Sequence, residues 1–108
     1  MMFKYLITGN YTAEGTKGLI KDGGTSRKEA VTKMAASVDG MLESFHFSAA
    51  SPRYFVILSL PNRTTLAAIS AAITASGAVN ITECAELLTA SEMDEAVKKV
   101  PSYRAPGH

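Results

Sequence analysis

Few side chains in this sequence could do chemistry. His46 is the one histidine inside the body of the chain, since His108 ends it. An imidazole there could titrate near neutrality and serve as a general base, with Asn10 or Tyr54 positioning a substrate. The plainer use is a strand histidine satisfied by hydrogen bonds at a subunit interface. Cys84 is the sole cysteine. It becomes nucleophilic only where its surroundings lower its pKa, and burial on a strand does the reverse, so an inert packed thiol is expected. Glu86 follows two residues later and could meet a ligand near the end of the first strand, or simply face solvent at a strand edge. Tyr5, Tyr11 and Tyr54 could line a pocket, because a phenol suits a boundary between wet and dry. Packing in the core is their commoner use. Arg53 could bind an anion or stand on a rim.

Several classes of chemistry are excluded. Lys21-Asp22-Gly23-Gly24 is glycine-rich but lacks phosphate-loop spacing, and no Gly-Lys-Ser/Thr follows. There is no HExxH, CxxC or Gly-x-Ser-x-Gly, and one cysteine with two histidines cannot build a cysteine-type zinc site. No cofactor motif is present, so none is expected. Eleven Lys and Arg stand against ten Asp and Glu, a formal charge of +1. The part through Tyr54 carries +2 and the remainder −1. That balance supplies no basic field for nucleic acid. Lys17, Lys21, Arg27, Lys28 and Lys33 are interleaved with Glu14, Asp22 and Glu29, the pattern of a solvated helix face. No run approaches the ~20 apolar residues of a membrane span, and the short apolar run at the start, without a cleavage pattern, is not expected to act as a signal peptide. A lone cysteine fits a reducing cytoplasm.

The elements that must position these groups are legible from their pattern. Phe3 to Tyr11 is rich in aromatic and β-branched residues and predicts the first strand. Glycines at 15, 18, 23 and 24 weaken the next stretch, so only a single helical turn is expected near Glu14–Ile20. Ser26 and Glu29 have capping-box spacing and predict the start of the first full helix. Ala30, Val31, Met34, Ala35 and Val38 give its buried stripe, and Asp39-Gly40 its end. Met41 to Ser48 predicts a second strand, and the apolar run Tyr54–Leu60 a third in the middle of a sheet. Asn62 caps a second helix carrying Leu66, Ile69 and Ile73, stopped by Gly77. Val79–Leu88 predicts the fourth strand. Ser91 with Asp94 suggests the cap of a short last helix reaching about Val100, and Pro101–His108 is expected to fray.

This order is βαββαβ with a C-terminal helix, an α+β, ferredoxin-like pattern within a single domain of residues 1–100. Two helices then cover one face of an antiparallel sheet and leave the other open. Strand parity places Phe3, Tyr5, Ile7, Phe45, Phe47, Val79, Ile81, Ala85 and Leu87 toward the helices. It places Leu6, Thr8, Asn10, Leu42, Ser44, His46, Asn80, Thr82, Cys84 and Glu86 on the open face. Glu43 and Glu83 break the parity and predict a bulge or strand-end exposure. The third strand is apolar on both sides. A face of this kind invites a partner, and the simplest partner is another copy of the chain. A small molecule could sit between the two sheets.

Tyr11-Thr12, Glu14-Gly15 and Gly18-Leu19-Ile20-Lys21 resemble the opening segment of the GYD-domain family, a set of small prokaryotic proteins. Arg27 with Glu29-Ala30, then Gly40 with Leu42-Glu43-Ser44-Phe45, Pro61, and Ser76-Gly77-Ala78-Val79 resemble its later landmarks. The resemblance runs from about Tyr5 to Glu92. At the Gly-Tyr-Asp motif itself the chain departs, with Ala50, Pro52 and Arg53 in those places, and His46 stands where a tyrosine is usual. The resemblance implies a fold related to dimeric α+β barrel proteins and self-association, and it implies no particular activity. Three functions follow as expectations. The leading one is self-association through the open face, with a ligand held between subunits by Asn10, Tyr11, Tyr54 and Glu86. The second is a cofactor-independent monooxygenase or isomerase with His46 as base. The third is a regulatory or structural subunit.

Overall fold

A computed structural model describes residues 1–108. The chain runs β1 (Phe3–Tyr11), α1 (Ala13–Ser37), β2 (Met41–Phe47), β3 (Arg53–Leu60), α2 (Arg63–Ala75), β4 (Val79–Leu87) and α3 (Ala90–Val97). The four strands form one antiparallel sheet in the order β2-β3-β1-β4. This is the ferredoxin-like arrangement with an added C-terminal helix. The inner pair, β1 and β3, carries most of the buried strand residues, while the edge strands β2 and β4 carry few.

The core lies between the sheet and the two larger helices. Tyr5, Ile7, Leu58 and Leu60 are at most 2% exposed, and Val31 and Ala35 of α1 and Ile69 of α2 pack onto them. α1 lies mainly over β2, and α2 mainly over β4. Asn62 caps α2, its side-chain oxygen accepting from the Thr65 amide at 2.9 Å. Gly9 must lack a side chain. A Cβ there would lie 1.7 Å from the Asn80 carbonyl oxygen and 2.9 Å from the Tyr54 hydroxyl. The bare backbone lets the Tyr54 ring reach across β1, where its hydroxyl donates to the Asn80 carbonyl at 3.1 Å.

α1 is longer than the glycines suggest. It starts at Ala13 under a Thr12 cap, whose hydroxyl accepts from the Gly15 amide at 3.1 Å and donates to the Gly77 carbonyl at 2.8 Å. Docking of this first segment, with Gly15 buried and Leu19 packed on the core, outweighs weak intrinsic propensity. Ser26 lies inside the helix and does not begin it. The break falls at Gly23, with φ 83° and ψ 166°, a region of backbone space that is essentially glycine's alone. At the far end Asp39 takes the left-handed conformation (φ 61°), and the Gly40 amide donates to the Ala35 carbonyl at 2.8 Å.

Both parity breaks are bulges. On β2 the register slips between Leu42 and Ser44, leaving Glu43 as the extra residue. On β4 it slips opposite Thr8 and Gly9, leaving Thr82, whose hydroxyl donates to the Thr8 carbonyl at 3.1 Å. An extra residue inverts the facing of everything on one side of it. Leu42 therefore pairs with Leu58 on the helix side, not the open face. Cys84 pairs with Ile7 and Glu86 with Tyr5, so both also move to the helix side, while Ala85 and Leu87 move to the open face beside Leu6 and Lys4.

Beyond β4 the chain leaves the body. Thr89, not Ser91, caps α3, in a complete capping box with Glu92. Leu88, Met93, Val97, Val100 and Tyr103 are each more than half exposed. The radius of gyration is 16.9 Å, against about 13 Å for a compact chain of this length.

Candidate functional site

Two surfaces could hold a ligand or partner, one on each side of the sheet. On the helix side, Tyr11 ends β1 beneath the corner of α1. Its ring stacks on Phe47 with centroids 6.1 Å apart and meets Tyr54 edge-on at 5.6 Å. Phe45 lies 4.9 Å from Phe47 and extends the aromatic group. Burial pushes the Tyr11 and Tyr54 hydroxyls above the usual phenol range, and the nearby Arg27 guanidinium opposes the rise at both. Three hollows touch Tyr11: a small one of about 30 Å³ inside the core, one of about 280 Å³ toward the β2–β3 loop, and one of about 180 Å³ toward the start of β4.

On the open side, Leu6, Phe55, Ile57, Ala85 and Leu87 form a half-exposed apolar centre. Charged groups border it. Glu43 meets Lys4 at 3.0 Å and accepts from the Ser59 hydroxyl at 2.9 Å. The Lys4 contact, and then the Ser59 hydrogen bond, hold its carboxyl below the ordinary range. Arg53 lies over the sheet, its Nε donating to Thr8 at 3.0 Å and its guanidinium 5.2 Å from the Phe55 ring centre. Thr8 in turn donates to the Tyr54 carbonyl at 2.7 Å, which explains how this polar residue is 3% exposed on an uncovered face.

The expected site residues are thus divided by the sheet. His46 pairs with Phe55 and Asn10 with Arg53, so both lie on the open face. His46 is exposed and borders none of the hollows. Tyr11 and Tyr54 lie on the helix side. Glu86 is also there but away from them, with Arg63 at 4.0 Å. It faces Tyr5, whose buried hydroxyl has no hydrogen-bond partner and is pushed up by burial first and by the Glu86 charge second. Cys84 is exposed at the edge strand, and partial desolvation pushes its thiol up, away from the reactive thiolate. No three His, Cys, Asp or Glu side chains come together as a metal site. Sequence reasoning passed over Arg27, because its basic neighbours on α1 made it one of a solvated series. Its signal was its position four residues after the helix-breaking glycine. No helix is long and apolar enough to cross a membrane.

No curated protein and no solved structure matches the chain. The family model of the GYD domain does, over residues 5–97 of the 108, from the third residue of β1 to the end of α3. The match takes in the Gly23 corner, both bulges and the whole sheet beyond the first two residues of β1, so this chain belongs to the GYD domain family.

Proposed function

We propose that this GYD-domain protein works as a homo-oligomer, a dimer in the simplest case, in which two open sheet faces meet and enclose room for a small molecule. The chief support is unburied area. The single chain exposes 7432 Å², against about 5,800 Å² for a compact chain of its mass. The excess is roughly twice the ~800 Å² that each partner contributes to a standard interface. Part of it is the apolar centre of the open face, and part is the arm that begins at Leu88.

The two parts adjoin. A hollow of about 480 Å³ is lined by Lys4, Ile57 and Leu87 on the sheet and by Leu88, Thr89 and Glu92 at the start of the arm. A second copy would find there a continuous concave surface. The open face carries Lys4 and Arg53 alongside Glu43 and Glu83, so a two-fold axis can set opposite charges against each other. Asn10 and His46 would border the enclosed space. A cytoplasmic setting accords with the single unpaired cysteine. Light scattering coupled to size exclusion tests this reading: a mass of two or more chains is expected at micromolar concentration, and a monomer throughout that range overturns it.

A further inference from the structure

We propose a second binding site, on the helix side of the sheet under the Gly23 corner, for a small planar aromatic compound carrying one carboxylate. It does not depend on the pairing of open faces. Three observations converge on it. The hollows of about 280 and 180 Å³ flank Tyr11 on either side of the corner, and the smaller core hollow lies behind it. The larger approaches the lower end of the roughly 300–1,000 Å³ typical of small-molecule sites. Its wall includes Phe47, which is 39% exposed although it belongs to the aromatic group around Tyr11. A flat ring can add to that group by stacking.

The charge sets the polar end of the ligand. Arg27, half-buried, lines the core hollow and the hollow toward β4. Phe47 and Arg53 line the larger hollow instead, and Tyr11 is common to all three. The chain's four ion pairs are Lys4–Glu43, Lys17–Glu14, Arg63–Glu86 and Lys98–Glu95, so Arg27 has no carboxylate partner of its own. A guanidinium held this way suits a planar carboxylate, which it can bind through two parallel hydrogen bonds. Glu14 and Asp22 stand on the outer rim of the same hollow. Glu14 is paired with Lys17, and the Asp22 charge left over disfavours a polyanion such as a nucleotide. The roof is kinked at Gly23, which holds a conformation other residues avoid, and a Cβ there would touch nothing within 4 Å.

The test is a titration of the isotope-labelled full chain with benzoate and with benzamide, its uncharged counterpart, followed by amide NMR shifts. Saturable benzoate shifts are expected at Tyr11, Gly23, Gly24, Arg27 and Phe47, with benzamide binding about tenfold more weakly. Arg27→Gln should remove that preference, so that benzoate binds no more tightly than benzamide. Arg27→Lys should keep part of the preference and guards against an unfolded Gln variant, and Phe47→Ala should weaken both compounds. Equal binding of the two compounds to the unaltered chain, no shift at millimolar concentration, or shifts confined to Leu6, Phe55 and Ile57 would each overturn the proposal.

Discussion

The two faces of the sheet are built from alternate residues of the same strands, and they differ in what each residue has to satisfy. On β3, Tyr54, Val56, Leu58 and Leu60 are all buried under the helices, while Phe55, Ile57 and Ser59 between them are half-exposed. On the helix side a residue is held by shape: Gly9 is bare so that Tyr54 can cross it, and Ala35 of α1 has no exposure at all. On the open side the groups are held by local polar contacts, such as Lys4 to Glu43 and Arg53 to Thr8, around an apolar centre with nothing on it. One face is complete within the chain. The other leaves its apolar centre half-exposed.

Substitutions can break this contrast. The largest expected effect is at Gly9→Ala, where the new Cβ meets backbone that cannot step aside; a loss of about 4 kcal/mol is expected, read from the denaturant midpoint. A loss below about 1 kcal/mol would mean that the strands around Gly9 yield easily. Leu58→Ala should cost about 3 kcal/mol by opening a cavity in the core. Its neighbour Ile57→Lys should leave a single chain folded but abolish association. The melting temperature of the native protein should rise with protein concentration, and that of the Ile57 variant should not. Equal concentration dependence in both would place the interface elsewhere.

Smaller effects sharpen the comparison. Gly23→Ala should cost roughly 1–2 kcal/mol for backbone strain alone, since the added methyl meets nothing. If the variant is as stable as the native chain, the corner of α1 is not constrained. The smallest effect concerns Glu43. Its carboxyl is held low in the folded chain, so its contribution is complete above the ordinary carboxylate range and is lost as pH falls through the lowered value. Melting temperatures on the acid side should fall less steeply for Glu43→Gln than for the native protein. Identical slopes would show that the Lys4 contact adds nothing in water, as many exposed pairs do.

The strands, α2 with its Asn62 cap and the family could be read from pattern, because each rests on local chemistry: alternation, a capping side chain, a glycine at a turn. The first half of α1 could not. Its glycines argue against a helix, and only the buried contacts of Gly15 and Leu19 reveal why it forms. The Ser26–Glu29 and Ser91–Asp94 spacings were false starts, since a capping pair is common by chance and the real caps, Thr12 and Thr89, depend on where the preceding strand delivers the chain. The misplacing of Leu42, Cys84 and Glu86 has one cause. Glu43 and Glu83 signalled that parity would fail, but a bulge shows its position only in the hydrogen-bond register.

By itself, the sequence determined where the four strands and α2 fall, and that one sheet face would lack a cover within the chain. Those follow from interactions a few residues long. Which side each candidate residue faces was decided only in three dimensions. Two single-residue bulges turned Leu42, Cys84 and Glu86 toward the helices, and one glycine corner folded α1 over Tyr11 so that Arg27, among a series of surface-type charges, came to lie at the edge of an aromatic cavity.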